Sequence, residues 1–577
     1  MPTDTNTTPV RPEGIAYWLH ERPPLSMTIM AALQQLAFLG AIMTLPVLLA
    51  HQAGLNDAGA AGLVSLTMVG AGCGVILQAL NRSGVGIGLF SPMHTSAVAF
   101  PASLAAVKMG GLDLAFGMMT VAASVQLAVS RVLPRLRPFF PVEIAGLIVL
   151  ILGLGLGLIG LRAFLAVDTP FEGDIRTFQT GFLTLAVIIG CNIWGRGRLH
   201  AFAVFIGLVT GQLFALLNGV VNRSLVDDIF QVPFFAVPPI AQFGWEFRWS
   251  LVPEFIIVGL ALSFNCFGVL TVAQRANDAA WKRPDIPGIS RGLLAEGLTN
   301  AFCALINGVA QTASGGAIGL AQASGVTSRI VAFVLGGLFI ALAFFPPFAA
   351  FWISLSPPVI GAVLMFVASF IIVGGIKIIT SRLLDTRKIV TIGLSLIMAI
   401  GHDAVLTAHF GRPEGTVLSP LANTVTVALL VAIALNALFQ LKVHKTVTRT
   451  LQLNEQWQQT TSELIWHLGH QWGARPEVIR RLDHGLHELL DALYAYNLST
   501  APEIGLQATF DEYRCRMQVC YQGQALLIPA SRPDPDELLH TPDGFQTLAG
   551  FLISRLADEV RVETRNNSCI VTMTFHD

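Results

Sequence analysis

Gly84-Val85-Gly86-Ile87-Gly88-Leu89-Phe90-Ser91-Pro92 and Ser314-Gly315-Gly316-Ala317-Ile318-Gly319, the latter followed by Gly325, each fall inside a long apolar stretch. Glycine costs a helix interior about 1 kcal/mol relative to alanine and proline about 3 kcal/mol, so both runs predict an interrupted helix. In a membrane, backbone that leaves the helix survives only where protein or a cavity satisfies its polar groups. A matched pair of broken spans is therefore a pointer to a midplane binding site, with half-helix N-termini presenting N–H groups to a ligand. Close packing through small residues is the competing reading for either run alone.

Outward from these runs, fourteen stretches are each near the ~20 residues that cross a bilayer as a helix: 28–50, 59–80, 84–106, 113–131, 141–161, 177–194, 201–220, 251–273, 292–309, 311–325, 329–349, 357–380, 388–405 and 420–441. The composition is 53% hydrophobic and 12% charged, against about 25% charged in soluble proteins. Arg and Lys fall on alternate connections. One side collects twenty, among them Arg82, Arg131, Arg275, Arg291, Arg387 and Lys388, and the other collects Lys108, Arg162, Arg176, Arg223, Arg248 and Arg412. The positive-inside rule then predicts a multi-pass inner-membrane protein with both termini cytoplasmic. A formal net charge of -1 argues against a nucleic-acid partner. Seven cysteines without a CxxC pair indicate neither a disulfide framework nor a zinc site, so no metal or cofactor is expected.

The fifth and twelfth spans open alike, on Pro141-Val142-Glu143-Ile144-Ala145-Gly146 and Ser356-Pro357-Pro358-Val359-Ile360-Gly361, and Gly160 and Gly375 recur at the same spacing of 215 residues. Seven spans per half follow, and an odd number puts the halves in opposite orientations. The expected fold is an all-α membrane domain of fourteen transmembrane spans in 7+7 inverted repeats. Residues 1–27 form a cytoplasmic segment, 28–441 the transporter domain and 442–577 a cytoplasmic α+β domain. The polar, Pro-rich start reads as no cleavable signal peptide.

Leu33-Gln34-Gln35-Leu36 in the first span, Ser91-Pro92-Met93 in the third, Ala295-Glu296-Gly297-Leu298 in the ninth and Pro357-Pro358-Val359-Ile360-Gly361 in the twelfth resemble the nucleobase/ascorbate transporters, the xanthine/uracil permeases. The resemblance implies core and gate subdomains, a homodimer, and uptake of a small-molecule substrate by alternating access with proton coupling, and it implies no enzyme activity. Where that family carries an acidic residue in the eighth span, this chain has Asn265. Where the family has Glu or Gln in the tenth, it has Gly316. Those positions supply no carboxylate to carry a proton.

The polar groups left are Gln35, Ser91, His94, Asn265, Thr271, Gln311, Thr312 and Ser314, with Gly315 and Gly316 at the half-helix start. Amides both donate and accept, so Gln35, Asn265 and Gln311 suit the alternating edge of a base, though each also suits a helix-to-helix hydrogen bond. His94 is the candidate proton-linked switch, against the packed role usual for a lone histidine. Glu143, in the first turn of the fifth span, suits a helix N-terminus. Opposed half-helix N-termini without a carboxylate between them also describe an anion site, so a bicarbonate- or sulfate-like substrate stands as the alternative.

In the tail, 475–498 reads as an amphipathic helix, with strands at 504–510, 517–521 and 525–528. The run from Gly544-Phe545 to Gly550-Phe551-Leu552-Ile553-Ser554-Arg555-Leu556-Ala557-Asp558-Glu559-Val560 resembles the histidine-kinase-type ATPase domain of anti-sigma serine kinases. The Glu-x-x-x-Asn-Ala of that family appears as His487-x-x-x-Asp491-Ala492 or Glu488-x-x-x-Ala492, and its glycine-rich lid is not recognisable around Asp543-Gly544. A regulatory module that binds a cytoplasmic protein and has lost nucleotide is expected. A membrane-tethered sensor in which transport is secondary competes with this reading, and intact ATP motifs would favour it.

Overall fold

The computed structural model describes residues 9–576 except 137–141, 168, 196–198, 200–201, 221–232, 282–283, 381–382, 403–404, 406, 411–423, 441–445, 454–456, 511–513, 530, 532–543 and 566–567. Two compact units result: Met1–Ile379 with Leu394–Ile433, and Thr380–Gly393 with Ala434–Asp577.

The first unit is built almost wholly of helices. Its elements are α1 (Leu25–Gly40), α2 (Thr44–Gln52), α3 (Asp57–Leu80), β1 (Met93–Thr95), α4 (Phe100–Gly110), α5 (Leu112–Leu136), α6 (Val142–Phe164), α7 (Ile175–Ile193), α8 (Ala203–Leu217), α9 (Val252–Ala276), α10 (Ile286–Ile306), β2 (Gln311–Ala313), α11 (Gly315–Ser324), α12 (Ile330–Ala343), α13 (Pro346–Ile353) and α14 (Pro357–Ile379). They are followed by α15 (Thr386–Gly401), whose first turns belong to the second unit, α16 (Thr407–Phe410) and α17 (Thr424–Gln440).

Six helices among the described residues are long and apolar enough to cross a membrane, and α12 with α13 would make a seventh, bent by 85°. The interrupted stretches are not single helices. Each is a three-residue strand followed by a helix of 11 or 10 residues, α4 and α11. The two strands pair antiparallel, His94 opposite Thr312, so the backbone groups freed from helices satisfy one another.

α6 and α14 cross antiparallel through glycines. A methyl group on Gly146 would lie 2.8 Å from the Ile379 nitrogen, and one on Gly361 only 2.1 Å from the Phe164 nitrogen. Likewise Gly160 faces the Met365 nitrogen at 2.9 Å, and Gly375 the Leu150 nitrogen at 2.6 Å. Each contact has its counterpart 215 residues along: Gly146 to Gly361 and Ile379 from Phe164, Gly160 to Gly375 and Met365 from Leu150. The recurrence read in the sequence is thus a two-fold contact in space. Pro141, which opened the expected fifth span, lies outside the described residues, as do Arg223 and Arg412.

The second unit carries a five-stranded antiparallel sheet, in the order β3 (Thr446–Gln452), β4 (Glu503–Phe510), β5 (Arg514–Gln522), β7 (Ser568–His576), β6 (Glu559–Arg565). Helices α18 (Trp457–Trp472), α19 (Pro476–Ala495) and α20 (Gly544–Leu556) accompany it. Alternate residues of β4, Ile504, Leu506, Ala508 and Phe510, join Leu482, Leu486, Leu489 and Leu493 of α19 in one core, as period 2 meeting period 3.6 requires. The strand expected at 525–528 is absent. Tyr521 Oη there donates to the Gln524 carbonyl at 2.9 Å, so the chain turns away from the sheet after Gln522.

Candidate functional site

The β1–β2 pair is the geometric centre of the site. Ser314 caps α11, its Oγ accepting from the Ala317 nitrogen at 3.3 Å, and it is itself held by Ser314 N donating to the Pro92 carbonyl at 2.8 Å. Gly316 faces α1: a methyl group there would lie 2.8 Å from Phe38 Cζ. Gln35, buried in α1, donates its Nε2 to the Ala317 carbonyl at 3.0 Å, tying the first span to the half-helix start.

From Asn265 a chain of hydrogen bonds runs inward. Asn265 Nδ2 donates to Thr312 Oγ1 at 2.9 Å, and Thr312 Oγ1 donates to Glu296 Oε1 at 3.3 Å. Glu296 also accepts from the Ala313 nitrogen at 2.9 Å and from Gln126 Nε2 at 3.1 Å. Beyond it, Gln126 Oε1 accepts from Asn300 Nδ2 at 2.7 Å, and Asn300 Oδ1 accepts from the Gln311 nitrogen at 2.7 Å. The chain leaves β2 at Thr312, passes through α10 and α5, and returns to β2 at Gln311. Each donor has one acceptor, so the direction of every amide is set by its neighbours.

Glu296 is the residue that the sequence reading passed over. It lies in Ala295-Glu296-Gly297-Leu298, read as the start of a span, whereas the positions at which a carboxylate is expected hold Asn265 and Gly316. An ionisable residue inside a membrane domain is itself a functional signal. The helix expected to start at 292 is α10, which begins at Ile286, and this puts Glu296 at mid-helix and fully buried.

The other expected site residues divide. Gln35, Ser91, His94, Gln311, Thr312 and Ser314 are buried around the strand pair. His94 Nδ1 lies 2.7 Å from the Thr95 carbonyl, and so carries the proton in that bond. Thr271 stands apart, its hydroxyl donating to the Phe267 carbonyl within α9 at 2.8 Å. Glu143 is buried at the start of α6.

Two strand-and-half-helix breaks that meet over a buried carboxylate in a helical membrane fold are the arrangement of the binding site in many secondary transporters. Residues 26–407 match the family model described as a permease family, that of the xanthine and uracil permeases. The chain belongs to that family, and it is a transporter of the nucleobase permease class, not an enzyme. It is 28% identical over 403 residues to the xanthine permease XanP of Escherichia coli K12, covering 67% of this chain and 86% of that one. With the uric acid permease PucK of Bacillus subtilis it shares 24% over 421 residues, covering 72% and 96%. Among solved structures, the murine Slc26a9 anion transporter in its inward-facing state superimposes with a TM-score of 0.49 at 11% identity, covering 75% of this chain and 71% of that one.

Proposed function

We propose that the chain imports an oxidised purine of the xanthine or uric acid type, coupled to protons through Glu296, by alternating access between core and gate. The observation that carries this is the hydrogen-bonding polarity of the site. Gln35 spends an N–H on the Ala317 carbonyl, and Gln311 spends one on the Val309 carbonyl at 2.8 Å. Their Oε1 atoms, and Ser91 Oγ, are buried with no partner among the described residues. A site built from these side chains would offer acceptors to a substrate rich in ring N–H groups. Bicarbonate or sulfate presents mainly oxygens and would leave those acceptors unmatched, at about 1–3 kcal/mol each.

Proteoliposome uptake of xanthine, uracil, bicarbonate and sulfate, with and without a pH gradient, tests the reading. Xanthine accumulates, faster with protons driven inward. Gln35→Ala and Asn265→Ala each weaken its binding by about 1–3 kcal/mol. Uptake of bicarbonate or sulfate without xanthine overturns the reading.

The membrane arrangement that goes with it is fourteen spans in two inverted sevens, with both termini cytoplasmic and a homodimer joined through the gate. The 215-residue recurrence at the α6–α14 crossing and the Arg and Lys asymmetry support it. The tail is a histidine-kinase-like regulatory module that binds a cytoplasmic protein rather than turning over nucleotide. His487 Nε2 sits 3.1 Å from the Gln458 carbonyl, and Asp491 Oδ1 accepts from Gln458 Nε2 at 3.4 Å, so both motif positions are engaged by α18. Asp543 of the expected lid lies outside the described residues. The purified full-length protein shows no magnesium-dependent ATP turnover, and a measured turnover above that of a mock preparation refutes this assignment.

A further inference from the structure

Residues 10–21 precede the stretch that matches the family model, and their polar, Pro-rich sequence predicts nothing more than a cytoplasmic leader. In the structure they form a strap across two of the helices that carry the site. On one side the strap holds the residues after α9: Trp18 Nε1 donates to the Asn277 carbonyl at 2.9 Å, Val10 N donates to Asp278 Oδ1 at 2.9 Å, and Ala279 N donates to the Val10 carbonyl at 2.8 Å. On the other it holds the turn between α11 and α12. Ala16 N and Tyr17 N both donate to the Gly325 carbonyl, at 2.7 and 3.0 Å, Thr327 N donates to the Tyr17 carbonyl at 2.9 Å, and Arg329 N donates to the Leu19 carbonyl at 2.9 Å.

Gly325, noted in the sequence only as a helix breaker, gains a specific reason. Its φ of +72° needs glycine, and a methyl group there would lie 2.9 Å from the Gly14 carbonyl of the strap. Within the strap, Arg11 pairs with Glu21 at 3.3 Å and its Nε donates to the Ile15 carbonyl at 3.0 Å. Leu19 holds a left-handed φ of +43°, a conformation that persists in a non-glycine residue only where neighbours fix it.

α9 carries Asn265, and α11 begins at Ser314 and Gly315 beside Thr312. Directly between these helices, Ala273 and Ala276 pack against Ile318, Val269 faces Gly315, and one side-chain hydrogen bond crosses, Gln322 Nε2 donating to the Ala276 carbonyl at 3.5 Å. We propose that residues 10–21 are a positioning strap for the substrate site, fixing α9 against α11 so that the Asn265–Thr312 bond keeps its geometry. The proposal rests on the reading of Asn265 and Thr312 as the substrate site.

Trp18→Ala removes one anchor while leaving every site residue in place. With xanthine as the probe, it raises KM about five- to tenfold, the loss expected of a weakened hydrogen-bonded positioning contact, while Vmax per inserted transporter stays within about twofold. In the same variant, spin labels at Arg275→Cys and Ser324→Cys report a broadened distance distribution without any substrate present. A merely stabilising strap would lower thermal stability and move neither KM nor that distribution. An unchanged KM, or an unchanged distribution, overturns the proposal. Asn265→Ala is measured alongside. If its KM is unchanged as well, the site reading fails and the strap's role with it, whereas failure of Trp18→Ala alone counts against the strap only.

Discussion

Glu296→Gln reduces uptake to background, a fall of about 100-fold or more, although the replacement has the same size and shape. Gln126, Thr312 and the Ala313 nitrogen all donate to this side chain. A carboxylate accepts at both oxygens, whereas an amide brings one acceptor and one NH₂ group. Whichever way the amide turns, a donor faces a donor. Each mismatched buried group costs about 1–3 kcal/mol, and β2, which is held to α10 through this side chain, loses its register against β1. Glu296→Ala leaves three donors unmatched and falls further in stability. Uptake per transporter, normalised to protein that elutes as a single species in detergent, is the measurement. Near-normal uptake by Glu296→Gln would show that the hydrogen-bond chain is incidental to transport and would remove the proposed proton carrier.

Gly361→Leu prevents the membrane unit from assembling. Its first added carbon would lie 2.1 Å from the Phe164 nitrogen and 2.5 Å from the Gly160 carbonyl, both backbone atoms of α6. No rotamer relieves that approach. The helices must separate along the crossing, and the contacts at Gly160, Gly146 and Gly375 are lost with it. Overpacking by single methylenes in cores costs about 1–3 kcal/mol, and a backbone-to-backbone clash at the end of a shared crossing exceeds that. Gly374→Leu is the control, since nothing lies within 4 Å of the position a methyl group would take there. The first variant yields no monodisperse protein and the second yields as much as the parent. Equal yields would mean that the α6–α14 crossing is looser than its geometry states.

Much of this was legible in the sequence, and the physical reason differs by feature. Membrane helices announce themselves through length and apolar content, because the bilayer leaves the backbone few alternatives. The broken spans were legible for the opposite reason, since glycine, serine and proline are costly in a helix and stand out. That the breaks hold strands is beyond sequence reading: three residues of β1 show no period, and their partner lies more than 200 residues away. Glu296 was hidden by a boundary error of six residues, which set a mid-helix carboxylate near a span end where charge is ordinary. The strap was hidden because most of its bonds join backbone atoms, which every sequence possesses. In the tail, alternation found β4 and β5, whereas Ala525–Ile528 is apolar without pairing.

The contacts of the α6–α14 crossing come in pairs exchanged by a two-fold rotation, which makes the interface isologous: the same surface appears on both sides. A surface of that kind requires no second sequence to complement it. It is the contact that two copies of one segment can form with each other when they cross antiparallel.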